Sequence, residues 1–85
     1  MIYIDKPKLY GNDGWFSHMM TDGDLDELHS FAKLIGIKRY FFENKPRHYH
    51  YDVPRKYFNV AIDNGAILVS SKELIRKCKC TVLVS

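Results

Sequence analysis

The chain has 85 residues, of which 46% are hydrophobic, 14% are aromatic and 27% are charged, and its formal net charge is +3. A chain of this length forms one domain with a thin core, because it buries only about 60% of the surface that its unfolded form exposes. No apolar run approaches the roughly 20 residues of a membrane-spanning helix. The first residues lack the basic segment and apolar stretch of a secretory signal. The two cysteines, Cys78 and Cys80, are too few for a disulfide framework and suit a reducing cytoplasm.

The charge is unevenly distributed along the chain. Residues 1–30 contain two lysines and six acidic residues, whereas residues 31–85 contain eleven lysines and arginines and four acidic residues. A basic second half can attract a phosphate-bearing partner such as a nucleic acid. Basic residues spread over so many positions are also typical of ordinary solvated surface, so both interpretations stay open.

Three short apolar runs predict β-strands. Ile2–Ile4 is the first, residues 40–42 are the second and residues 66–69 are the third. The third run is continuously apolar, as expected for a strand that is covered on both faces. Residues 6–20 lack a period and contain proline and glycine, and residues 43–52 are polar, so both segments are predicted to be loops.

A first helix is predicted to follow residue 24. Asp24 with Glu27 three residues later fits a capping box, and Thr21 with Asp24 fits nearly as well. Gly36 is expected to end the helix as the glycine at the C′ position, directly after its last turn. The apolar stripe of this helix, at helical spacing, consists of Leu25, Leu28, Phe31, Ala32 and Ile35.

Two more helices are predicted in the second half. One begins near Pro54, a residue favoured in the first turn, and ends at Asn64 and Gly65. The other runs over residues 71–77 and is opened by Ser70, three residues before Glu73. The β-branched tail over residues 81–85 is predicted to be either a fourth, edge strand or a docking arm.

The predicted order is therefore β-α-β-α-β-α. Such alternation favours an α/β domain of three layers with a short, mainly parallel sheet and helical crossovers. Right-handed crossovers leave few topologies. We favour the strand order 2-1-3, with the first strand in the middle and an extra C-terminal edge strand as an option.

Open parallel sheets bind ligands beyond the carboxyl ends of their strands, near the point where the strand order reverses. Three of the four histidines follow predicted strands, whereas the short connections at the opposite end of the sheet contain none. We therefore expect a site at the carboxyl ends. The polar or aromatic residues predicted there are Asp5, Trp15, Ser17, His18, Asp22, Glu43, His48, His50, Asp52, Ser70 and Ser71.

His18 lies in an apolar stretch and should be partly buried. As a general base or a metal ligand it needs a carboxylate that fixes its tautomer, and Asp22, four residues away, is the predicted partner. The alternative is a core histidine that is hydrogen-bonded to the backbone.

His48, His50 and Asp52 alternate with Tyr49 and Tyr51. In an extended segment the two imidazoles and the carboxylate point to one side. These are ligand types for zinc, manganese or iron, and we predict a metal site formed by His18, His50 and Asp52. Asp52 also suits a cap for the helix near Pro54, and both roles can coexist.

Other polar residues carry weaker signals. His29 is expected at the border of the first helix's apolar stripe, early enough in the helix to approach the sheet end. Ser70 and Ser71 open a helix whose free N–H groups could hold an anion, although capping explains them as well. The cysteine pair is interpreted as structural or incidental.

Five segments form a joint pattern along the chain: MIYID at 1–5, WFSHM at 15–19, ELHSFA at 27–32, HYDVP at 50–54 and SSKEL at 70–74. Taken together, they resemble a family of small bacterial and phage proteins that is classed as a domain of unknown function. The resemblance spans residue 1 to about residue 77 and implies a cytosolic protein without a known activity. The extra His48 and the cysteine-containing tail depart from the family pattern. The residues that the resemblance singles out are Trp15, His18, Asp22, Glu27, His29, His50, Tyr51 and Asp52.

Three hypotheses follow. In the first, the protein is a hydrolase acting on a phosphate-containing, nucleotide-like or nucleic-acid substrate, with a divalent metal as an optional cofactor and with Arg47 or Arg55 contacting phosphate. The catalytic or metal-binding residues would be His18, Asp22, His50 and Asp52. In the second, it is a non-catalytic module for a nucleotide-like ligand or a host protein, which Trp15, Tyr49 and Tyr51 would contact. In the third, the polar residues form a structural network that ties the first loop to the sheet.

Overall fold

A computed structural model describes residues 1–45 and 48–78. Within this part of the chain, a mixed α/β fold contains six strands and three α-helices. The strands are β1 (Ile2–Ile4), β2 (Lys8–Leu9), β3 (Trp15–Thr21), β4 (Phe42–Glu43), β5 (His50–Pro54) and β6 (Ile67–Leu68). The helices are α1 (Leu25–Leu34), α2 (Phe58–Asp63) and α3 (Ser71–Cys78). No helix among the described residues combines the length and the apolar character that a bilayer crossing requires.

The strands form one sheet in the order β4-β5-β3-β1-β6, with β2 paired to β3 outside this path. The pair of β1 with β6 is parallel, as the predicted pairing of the first and third strands required. The other described pairs are antiparallel. The prediction of a mainly parallel sheet is therefore wrong.

The error comes from the segment that was predicted as a loop over residues 6–20. Its glycines form a turn between β2 and β3, where Gly11 and Gly14 adopt positive φ angles of 56° and 95°. β3 then runs through the middle of the sheet between β1 and β5. Ser17 and His18 interrupt the apolar character of β3, so its sequence does not show the alternation by which a half-buried strand is recognised.

The second predicted loop also contains a strand. β5 has the sequence HYDVP, in which Tyr51 and Val53 are buried and the alternate residues His50, Asp52 and Pro54 are half-buried. The helix predicted near Pro54 begins later, since a 3-10 turn over Arg55–Tyr57 precedes α2. The expected second strand is only partly present, because Arg39–Phe41 forms a 3-10 turn and β4 begins at Phe42.

The helix signals are confirmed more closely. The Asp24 side chain accepts a hydrogen bond from the Glu27 N–H, and Gly36 follows the helix with a φ of 89°. Ser70 accepts the corresponding bond from Glu73 at the start of α3. β6, by contrast, lies at the edge of the sheet that the described strands form, with Ile67 and Leu68 exposed by 36% and 45%, so the prediction that both its faces are covered is wrong. The predicted tail strand lies outside the described residues.

The sheet has apolar clusters on both faces. On one face, Ile4, Met19 and Val53 pack with buried residues of α1 and α2. On the other face, Tyr3 and Met20 pack with Leu74 and Cys78 of α3. Because α3 reaches only this part of its face, the side chains of β3 and β5 farther along remain open to solvent.

Candidate functional site

The open part of the sheet brings three potential metal ligands together. β3 and β5 are antiparallel neighbours, and His18 lies directly opposite Asp52 in their register. Paired residues share a face of the sheet, and His50 shares it as well because it is two residues from Asp52. One ligand atom from each of His18, His50 and Asp52 lies within 4.8 Å of the others. The structure thus assembles the three residues that the sequence predicted as metal ligands.

Asp5 orients His18. Its Oδ1 accepts the backbone N–H of His18 at 2.7 Å, and its Oδ2 lies 3.1 Å from the His18 Nδ1. Ser71 donates its hydroxyl to the same Oδ2 at 2.8 Å. Burial by itself raises the pKa of Asp5, but the hydrogen bonds from His18 and Ser71 outweigh it and lower the pKa. The buried carboxylate therefore holds the His18 Nδ1–H, which leaves Nε2 free for a ligand.

His50 is held between two acceptors. Its Nδ1 contacts the backbone carbonyl of His48, and its Nε2 lies 3.2 Å from Oδ1 of Asp52. Burial lowers the pKa of His50, but the hydrogen bonds to Asp52 and to His48 raise it by more than burial lowers it, so the net shift of the pKa is upward. A neutral imidazole has a single N–H and cannot donate to both acceptors. A doubly protonated imidazole satisfies both contacts, and so does a cation held between His50 and Asp52.

Two connected clefts open over this cluster. The larger has a volume of about 600 Å³ and the smaller of about 400 Å³, and both are lined by His18, Lys45 and His50. The larger also contains four aromatic side chains, Tyr10, Phe16, Tyr40 and Phe41. The smaller contains Lys8, whose Nζ donates to the Ser71 hydroxyl at 2.7 Å. The cluster thus lies at the junction of an aromatic cleft and a basic cleft.

The structure does not bring Asp22 to His18. Asp22 Oδ1 lies 2.9 Å from the Met1 amino group, and Oδ2 accepts a hydrogen bond from the Tyr3 hydroxyl. Glu27 contacts the same amino group and accepts a 2.6 Å hydrogen bond from Thr21. The predicted partnership of Asp22 with His18 is therefore wrong, because Asp22 follows the end of β3, about 13 Å along an extended strand from residue 18.

His29 and Tyr51 lie on the other face of the sheet. The His29 Nδ1 is 2.7 Å from the Tyr51 hydroxyl, and the His29 ring packs edge-on against Phe42. Burial, followed by the charge of Arg39, lowers the pKa of His29. Since Tyr51 points away from its neighbours His50 and Asp52, neither member of this pair reaches the clefts.

The remaining predicted residues are dispersed. Ser17 is fully buried, and its hydroxyl has no hydrogen-bond partner within the described part of the chain. Trp15 lies under the guanidinium of Arg55, whose carbon is 5.2 Å from the ring centre. Ser70 acts as a helix cap, and Tyr49 stacks on Phe42 with a centroid distance of 6.3 Å.

Arg47, a predicted phosphate contact, lies outside the described residues. Asp52 is inside β5, so it does not cap the following helix.

Sequence reasoning missed Asp5 as the partner of His18, and it missed the cleft residues Lys8, Tyr10 and Lys45. Asp5 had a usable signal, because a carboxylate directly after the apolar run Ile2–Ile4 is placed at the end of a buried strand. Lys8 and Tyr10 gave none, since they belong to a segment that was predicted to be a loop.

Comparison with protein families gives a match over residues 2–81 to the family described as "Protein of unknown function (DUF4031)". The chain belongs to this family. The resemblance to a domain of unknown function is thereby confirmed, and the family's description carries no activity. Comparisons with curated proteins and with solved structures gave no match. The chemistry must therefore be argued from the cluster itself.

Proposed function

We propose that this DUF4031 domain is a metal-dependent hydrolase that acts on a phosphate-containing substrate. The observation that carries the proposal is the cluster of His18, His50 and Asp52, with ligand atoms within 4.8 Å of one another beside two open clefts. Two imidazoles and one carboxylate suit zinc, manganese or iron.

The surroundings of the cluster support a metal site. Metal-binding histidines usually donate their second ring N–H to a carboxylate or a backbone carbonyl, which fixes the ring. Asp5 has this position for His18, and the carbonyl of His48 has it for His50. The His50 Nε2 and the Asp52 Oδ1 lie 3.2 Å apart, and a cation between them would accept both as ligands.

Three protein ligands leave coordination positions for water and for a substrate oxygen. A divalent metal held by His18, His50 and Asp52 would lower the pKa of a bound water and would supply the nucleophile near neutral pH. The overall reaction would be a hydrolysis, in which one water is consumed for each ester, the bond between phosphorus and the leaving oxygen breaks, and the products are an alcohol and inorganic phosphate. Lys8 and Lys45 would neutralise the phosphate charge from the smaller cleft.

Thermal melting against single divalent metals tests the proposal. At a free metal concentration ten times Kd, binding to the folded state contributes about 1.4 kcal/mol. In a domain of this size that corresponds to a rise in Tm of roughly 5–10 °C. We expect this rise for at least one of zinc, manganese, iron(II) and cobalt, and we expect His50→Ala and Asp52→Ala to abolish it.

His29→Gln is the matched control, because His29 is a half-buried histidine on the opposite face of the sheet. Each variant is compared with its own metal-free Tm, so a change in stability does not disguise a change in binding. A metal response that survives in His50→Ala would contradict the proposed ligand set.

A non-catalytic binding module is the second candidate, favoured by the unusual exposure of aromatic side chains such as Tyr40, which is 75% exposed. Turnover separates the two. Release of inorganic phosphate from a panel of phosphate monoesters, dependent on metal and lost in Asp52→Ala, supports the hydrolase. Ligand binding without phosphate release supports the module.

A further inference from the structure

We infer that the ligand of the two clefts is a nucleotide, with its base in the larger cleft and its phosphate in the smaller one. Only the position of the scissile phosphate beside the metal rests on the proposed hydrolase function. The division of the ligand between the clefts rests on their aromatic and charged side chains.

The larger cleft is suited to a planar ring. Tyr40 is 75% exposed at this cleft and packs on Phe41 with a centroid distance of 4.5 Å. Tyr10 contributes a second ring, which meets His18 edge-on at 5.7 Å. Aromatic side chains that are held in place by neighbouring rings stack on nucleobases with little dependence on sequence. A volume of about 600 Å³ lies within the range of small-molecule sites and has room for a single nucleotide rather than a helical segment.

Charge assigns the phosphate to the other cleft. The larger cleft is lined by three carboxylates, Asp13, Glu43 and Asp52, and by Lys45, whose Nζ lies 3.7 Å from Oε1 of Glu43. This excess of negative charge disfavours a phosphate, and the carboxylates can accept hydrogen bonds from amino groups of a base or hydroxyls of a ribose. The smaller cleft shares Lys45 and adds Lys8, which the larger cleft lacks. Its carboxylate, Asp5, is already engaged by His18 and Ser71.

The two clefts share part of their lining, as is needed if one nucleotide is to occupy both. His18, Lys45 and His50 line both clefts, so a ligand that fills both must pass beside the two histidines. A base in the aromatic cleft and a phosphate beside Lys8 therefore place the bond between ribose and phosphate next to His18 and His50.

Calorimetric titration of the metal-free protein, in the presence of a chelator, tests the inference independently of catalysis. The probes are adenosine 5′-monophosphate, ribose 5-phosphate, inorganic phosphate and a short single-stranded oligonucleotide. We expect the nucleotide to bind on the order of tenfold more tightly than ribose 5-phosphate, as one stacked base provides. Tyr40→Ala should remove most of this difference, whereas Tyr40→Phe should keep it.

Leu34→Ala is the matched control, because Leu34 is an exposed apolar residue on α1, away from the clefts. Lys8→Gln should weaken the nucleotide and ribose 5-phosphate equally. Equal affinities for the nucleotide and ribose 5-phosphate in the wild type would overturn the inference, as would an unchanged nucleotide affinity in Tyr40→Ala. Tighter binding of the oligonucleotide than of the mononucleotide would overturn the single-nucleotide assignment.

The failure of this inference differs from the failure of the proposed function. Nucleotide binding in chelator without metal-dependent phosphate release would leave the nucleotide site standing and remove the hydrolase. Metal-dependent hydrolysis of simple phosphate esters without a preference for nucleotides would do the reverse.

Discussion

The two faces of β5 hold two histidine pairs with opposite electrostatics. We call the face of the sheet that α1 and α2 cover the closed face, and the face that carries His18, His50 and Asp52 the open face. On the closed face, the His29 Nδ1 contacts the hydroxyl of Tyr51, and burial lowers the pKa of His29. On the open face, the effect of burial on His50 is outweighed by hydrogen bonds to Asp52 and to the His48 carbonyl, and its pKa rises. Burial lowers the pKa of both rings, so burial alone does not decide the direction of the net shift. The neighbouring groups decide it, because the charge of Arg39 adds to burial at His29, whereas hydrogen bonds to Asp52 and to the His48 carbonyl outweigh burial at His50.

The largest expected effect is a loss of folding stability when a buried side chain of the closed face is removed. Tyr51→Ala removes a side chain that is 1% exposed within the apolar cluster, and removal of a buried ring costs about 3–5 kcal/mol. Asp52→Ala, one position along the same strand, removes a half-exposed carboxylate and should change the free energy of unfolding by less than about 1 kcal/mol. Urea denaturation of both variants checks the contrast. Similar losses in the two would mean that the open face is as important for stability as the core.

A smaller effect sharpens the account of the open face. Asp5→Asn weakens the orientation of the His18 ring without removing a ligand, and loss of such a partner lowers metal affinity by about 10–100-fold. Asp22→Asn is the matched control, since the structure places Asp22 on Met1 and Tyr3 instead. Metal titration by calorimetry measures both. A larger loss in Asp22→Asn than in Asp5→Asn would restore the partner predicted from the sequence and contradict the structure.

The smallest effect concerns pH on the closed face. The folded pKa of His29 lies below its ordinary value of 6.5, so the unfolded chain binds the proton first as the pH falls. The free energy of unfolding therefore decreases as the pH falls through about 6.5, until the pH passes below the folded pKa. In His29→Gln this part of the decrease is absent. We expect the stability of the wild type relative to the variant to decline between pH 7.5 and pH 5.5, as measured by urea denaturation. A constant difference would show that His29 does not titrate differently in the folded state.

The comparison of the two faces also explains which predictions held. Signals for α1 and α3 are local, because a cap, an apolar stripe and a terminal glycine all lie within one segment. The signal for β3 is not local. Its seven residues are buried or half-buried except Trp15, and its pairing partners lie far away in the chain. The buried positions of β3 therefore do not alternate with exposed polar ones, which is the pattern by which a half-buried strand is recognised.

The same distinction applies to the cluster. The spacing of His50 and Asp52 predicts a common side only if the segment is extended, which it is in β5. The predicted companion of His18, by contrast, was chosen by closeness in sequence, and Asp22 was the near carboxylate. The actual partner, Asp5, is 13 residues away and reaches His18 through the pairing of β1 with β3.

The amino-acid sequence alone determined the boundaries of α1 and the start of α3, the parallel pairing of the first and third predicted strands, the family resemblance, and the identity of three residues that lie together. Only the tertiary structure decided that β3 and β5 enter the sheet as antiparallel strands, and so which carboxylate belongs to which histidine. The physical reason is the range of the interactions. Helix caps and turns act over a few residues, whereas the register between β3 and β5 is set by burial of the face that packs on α1 and α2, and it joins strands that are distant in the chain.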